Sequence, residues 1–161
     1  MAKTARIGVS LMALGLFGCA TVHTEIVIPA VPADVWAVLS DGSGYKDWNP
    51  VLVPLEGEFE QGNVLRYEMT DVEGKKSEVK AEVIEIVEQQ KLNQYGGVWG
   101  VLTFDHTWML EPLDGGTKVT QHEEYRGVGV IFWDYSWVEP AYAKANEALK
   151  QRVAELATAP E

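Results

Sequence analysis

Phe104-Asp-His-Thr-Trp-Met-Leu-Glu-Pro-Leu-Asp-Gly-Gly-Thr-Lys-Val-Thr-Gln-His-Glu-Glu-Tyr125 carries the clearest structural signal in the chain. Phe104, His106, Trp108 and Leu110 alternate with Asp105, Thr107, Met109 and Glu111, the period of a half-buried strand. Asp114-Gly115 is a two-residue turn signal. A turn placed there pairs Leu113 with Gly116, and every other pair follows. Leu110 meets Val119, Trp108 meets Gln121 and His106 meets Glu123 on one face. Thr107 meets His122 and Asp105 meets Glu124 on the other. The first face holds the large apolar groups, so it points inward.

Outward from this hairpin, the rest of the chain reads as one α+β domain. On the N-terminal side, Ile26 to Ile28 is a β-branched strand, and Pro32 opens a helix carrying Val35, Val38 and Leu39 at helical spacing. Asp41-Gly-Ser-Gly breaks it, and a second helical turn covers Tyr45 to Trp48. Strands are expected over Val51–Phe59, Val64–Thr70, around Val79, Ala81 and Val83, and over Lys91–Tyr95. Gly96-Gly-Val-Trp-Gly100 is expected as a loop. On the C-terminal side, Pro140 suits the first turn of a long helix with an apolar stripe at Tyr142, Ala145, Leu149, Val153 and Leu156. The order is strand, two short helices, six strands and a long helix. The expected architecture is a curved antiparallel sheet whose concave face the C-terminal helix covers.

Composition narrows the functional classes. The chain has 161 residues, with 13 Lys+Arg against 24 Asp+Glu. Such an acidic balance repels phosphates and argues against nucleic acid. The single cysteine, Cys19, excludes an internal disulfide and a thiolate zinc site. Lys3 and Arg6 precede an apolar run from Ile7 to Phe17, too short to span a bilayer as a helix and suited to a secretory leader. Leu16-Phe17-Gly18-Cys19 resembles the lipobox of bacterial lipoproteins, with Phe17 where a small residue is usual. The resemblance implies a leader over residues 1–18, a lipidated Cys19, a tether over 19–23 and a domain over 24–158. It implies a lipid anchor on a bacterial envelope membrane facing the periplasm, on the outer membrane in particular; the domain itself is expected to be a monomer.

A second resemblance covers the domain. Asp41 to Pro50, with Tyr45 and Trp48-Asn49-Pro50, then Glu56-Gly57 and Gly62, is similar to the opening of START-like (SRPBCC) domains. His106 to Pro112 and Gly115 to Gly127 resemble their late hairpin, and Asn146-Glu-Ala-Leu-Lys150 their closing helix. The nearest branch is that of polyketide cyclase/dehydrase and lipid transport. The resemblance implies the helix-grip fold and a cavity for apolar ligands, with no cofactor. Its members differ in function.

The candidate ligand-binding residues are Trp48, Asn49, Tyr67, Tyr95, Trp99, Phe104, His106, Trp108, Gln121, Glu123, Tyr125, Trp137 and Tyr142. Aromatic walls suit flat apolar ligands, and Trp133 belongs to the same group of tryptophans. Trp99, in the glycine-rich segment, is expected as a gate over the cavity mouth or a membrane contact. His106 opposite Glu123 is the one acid/base pair that can be drawn; a carboxylate there favours the imidazolium. Such a pair could move a proton in a cyclisation or dehydration, or simply satisfy itself and hold a ligand's polar end. His122 faces outward and His23 lies in the tether, so no metal site is expected. Binding of an apolar small molecule or lipid is the leading expectation. A cyclase/dehydratase using His106 and Glu123 and a protein-interaction or co-chaperone module are the alternatives.

Overall fold

The computed structural model describes residues 18–158. The leader read over residues 1–18 therefore lies outside the described residues, Gly18 excepted. The elements follow the expected order: β1 (Gly18–Ile28), α1 (Pro32–Ser40), a 3-10 turn (Gly42–Asp47), β2 (Leu52–Glu56), β3 (Val64–Thr70), β4 (Lys76–Val87), β5 (Lys91–Val98), β6 (Leu102–Leu113), β7 (Gly116–Gly127) and α2 (Val138–Thr158). A second 3-10 turn, Val128–Ile131, links β7 to α2.

The strands form one antiparallel sheet in the order β1-β7-β6-β5-β4-β3-β2. The β6–β7 register is the one the Asp114-Gly115 turn dictates, with Trp108 opposite Gln121 and His106 opposite Glu123. Phe104 is half-buried, and the other inward residues of this hairpin are buried. The helix α2 packs on β1 and α1 and buries Val138, Ala141, Ala145, Asn146, Leu149 and Val153. This is the helix-grip fold. Leu156, expected on the buried stripe, is 49% exposed in the last turn of α2, which ends at Thr158.

Two boundaries differ from expectation. The residues read as a tether are strand: Cys19 pairs with Arg126 and His23 with His122. The His23 ring packs edge-on against His122 at 5.9 Å. Two glycines of the expected loop belong to β5, where Gly96 pairs with Phe104 and Gly97 with Thr103, while Trp99 and Gly100 stand in the turn that follows. A Cβ on Gly96 would lie 2.2 Å from the Lys80 carbonyl and 2.4 Å from the Phe104 ring. These glycines are required by close strand approach rather than by a loop.

Candidate functional site

The concave face of β3–β7 and the first turns of α2 enclose a cavity of about 140 Å³ with mostly apolar walls. A narrow extension of about 20 Å³ runs beside Asn49, Trp108, Gln121 and Ala145. Alternation along β6 and β7 aims one side chain in two at this space. The two ends differ in their polar chemistry.

The narrow end is a closed hydrogen-bond chain. Asn146, on α2, donates from Nδ2 to Thr24 Oγ1 at 3.1 Å. Its Oδ1 accepts from Gln121 Nε2 at 2.7 Å, and the same nitrogen donates to the Tyr142 carbonyl at 3.1 Å. Gln121 Oε1 is left as an acceptor, so the contact of 3.2 Å to His106 Nε2 assigns the imidazole proton to Nε2. Burial pushes the His106 pKa down to about 4, with the Gln121 bond working the other way. His106 is therefore neutral at pH 7.

The wide end holds Glu123, buried and acceptor-only when ionised. The hydroxyls of Tyr125 and Tyr142 both donate to its Oε2. Burial pushes its pKa up to about 7, against the lowering effect of the two hydroxyls. Burial, then the neighbouring carboxylate, raises Tyr125 and Tyr142 in turn. Tyr67 accepts from Gln94 Nε2 across the floor, and burial raises its pKa.

These contacts correct the acid/base pair drawn from the sequence. His106 and Glu123 are opposite in register, yet each bonds to other residues. The imidazole meets an amide rather than a carboxylate, so desolvation wins and the imidazolium is disfavoured.

Tyr67, Phe104, His106, Glu123, Tyr125, Trp137 and Tyr142 line the main cavity as expected. Asn49, Trp108 and Gln121 line its narrow end. Asn49 has a structural task as well, since its Oδ1 accepts from the backbone of Val51 and Leu52. Three expected residues lie elsewhere. Trp48 packs its ring, tilted by 53°, against Tyr45 at 4.7 Å and against the core. Tyr95 falls on the convex face opposite Asp105. Trp99 is 85% exposed and borders a shallow hollow with Gly18, Cys19 and Arg126, so it does not gate the cavity. Sequence reasoning missed Met69, Ala81 and Gln94 in the walls and Asn146 at the narrow end. Asn146 was legible: it stands four residues after Tyr142 and three before Leu149, within the apolar stripe.

A grip-type sheet, a closing helix and an enclosed cavity define the class. The chain belongs to the polyketide cyclase / dehydrase and lipid transport family, whose model matches residues 20–154. Among similar solved structures, Ara h 8.0201 has a TM-score of 0.65 at 21% identity over 86% of this chain and 99% of its own. A protein from Chromobacterium violaceum gives 0.69 at 18% identity over 83% and 96%. Major latex-like protein 151 from Panax ginseng gives 0.68 at 14% identity over 83% and 97%. No curated protein matches the chain.

Proposed function

We propose that the domain binds a small apolar molecule in this cavity, held close to an envelope membrane. The observation that carries the reading is the cavity itself, apolar in most of its wall with Glu123, His106 and Gln94 converging on it. Its size limits the ligand. An apolar cavity of about 150 Å³ takes up benzene, so a single ring or a branched group of similar bulk fits 140 Å³. A two-chain lipid needs the sheet and α2 to part.

Titration with single-ring compounds tests this, because Trp133 and Trp137 report from the wall. Their emission should shift saturably in the wild type. Ala81→Phe, which fills the cavity from β4, should abolish the shift. A wild type that takes up no probe contradicts the reading.

The membrane part rests on one end of the sheet. Gly18 abuts Val130 and Ile131, and Cys19 is exposed beside Trp99. Trp99 and Phe132 are 85% and 87% exposed, and tryptophan favours the headgroup level of a bilayer. Since strand β1 begins at Gly18, a lipid on Cys19 would hold the domain flush with the membrane rather than on a tether. Labelled palmitate should enter the wild type and not Cys19→Ser; an unlabelled wild type removes this part. Among the described residues no helix is long and apolar enough to cross a membrane.

A further inference from the structure

We infer that the molecule held in this cavity carries an organic ammonium group, which pairs with the Glu123 carboxylate inside the aromatic walls. The inference rests on the ligand-binding reading above and names the chemistry of the ligand's polar end.

Three observations converge. Both tyrosine hydroxyls donate to Oε2, and no donor among the described residues reaches Oε1. Among the described residues no cation pairs with the carboxylate either. The titratable groups facing it are Tyr125 on β7, Tyr142 on α2 and His106 on β6, with Tyr67 of β3 across the cavity; Asp105 of β6 acts on it only through the sheet, from the convex face. β1 places only Val22 opposite it. Asp105 adds negative charge, and His106 is neutral at pH 7. A buried carboxylate left in this state is costly, and an incoming cation removes the imbalance.

The third observation is the wall. Phe104, Tyr125, Trp133, Trp137 and Tyr142 surround the wide end. The Trp133 ring lies 4.8 Å from Tyr125 and 6.3 Å from Trp137. Ring faces attract ammonium ions, most strongly where water is excluded. Rings together with an acceptor-only carboxylate favour an alkylammonium over a neutral group of equal shape. The net charge of −11 also raises the local concentration of cations.

The test compares choline with 3,3-dimethylbutan-1-ol, its neutral isostere, by calorimetry on the whole protein. At pH 8 choline should bind at least roughly tenfold more tightly. Its affinity should fall about tenfold per unit as pH drops below 7, because the proton on Glu123 must leave. The isostere should show no such loss. Glu123→Gln should bring the two compounds to similar affinity while keeping the isostere bound. The wild-type pH profile needs no variant, so a poorly folding Glu123→Gln leaves the test intact. An isostere that binds as tightly as choline at pH 8, or a flat choline profile, overturns the inference and leaves the cavity reading standing. If neither compound enters and the tryptophans respond to no single-ring probe, both fall.

Discussion

Glu123 and Glu124 are neighbours in sequence and opposites in environment. Glu123 faces the cavity, and burial raises its pKa to about 7. Glu124 faces solvent, where the Arg126 guanidinium donates to it at 2.7 Å and holds its pKa below the usual value. The same contrast separates His106, buried and neutral, from His122, half-exposed on the outer face beside Glu124. One hairpin, β6–β7, therefore builds both a solvated surface and a low-dielectric site from the same residue types. The face, set by a period of two, decides the chemistry.

The largest break in this comparison concerns tryptophan. Trp108, on the inner face of β6, is 4% exposed, and Trp99 is 85% exposed. Trp108→Ala should cost about 3–5 kcal/mol, whereas Trp99→Ala should change stability by less than about 0.5 kcal/mol. Urea denaturation of the two variants checks both. Equal losses would mean that the hairpin faces are not distinguished as described.

Next in size is an opposed pair of pH effects. Glu123 keeps its proton in the folded protein up to about 7, while the unfolded chain releases it near 4.5. Its contribution to stability is therefore present below 4.5 and is lost as pH rises to 7. His106 takes a proton near 6.5 when unfolded and near 4 when folded. Its contribution is present above 6.5 and is lost as pH falls to 4. Each is worth on the order of 3 kcal/mol, and in the wild type the two nearly cancel between pH 4.5 and 6.5. Glu123→Gln should leave a protein that weakens on acidification. His106→Gln should leave one that weakens as pH rises. Denaturation midpoints at pH 4.5, 5.5 and 6.5 read the two slopes, and slopes of the same sign would refute the assignment.

Smaller still is the loss of one donor. Tyr142→Phe removes a hydroxyl bonded to Glu123 Oε2, which should raise the Glu123 pKa further and cost about 1 kcal/mol above pH 7. On the outer face, Glu124→Gln should leave ligand uptake and the melting midpoint unchanged. A changed uptake would connect the outer face to the cavity.

The sequence was most legible where local chemistry sets geometry. Asp114-Gly115 and the alternation of Phe104, His106, Trp108 and Leu110 determine the β6–β7 register, and with it the placement of Gln121, Glu123 and Tyr125. The family resemblance supplied the closure by α2. Reading was poorer where distant strands meet. Ala81 and Gln94 enter the wall because β4 and β5 share the concave face with β6 and β7 through long-range strand pairing, which no local pattern encodes. Gly96 and Gly97 looked like a loop because a glycine chosen for close strand contact has the same letter as one chosen for a turn. That error placed Trp99 at the cavity. The His106–Glu123 pair was drawn correctly in register and wrongly in chemistry, because the partner that decides the imidazole, Gln121, is itself fixed by Asn146 from α2.

The central claim is that the inner face of β7 holds an acid in a low-dielectric cavity. A carbon-detected NMR titration of the Glu123 carboxyl tests it most directly. The structure predicts a midpoint of about 7 in the free protein; a midpoint at the ordinary glutamate value, near 4.5, would contradict it.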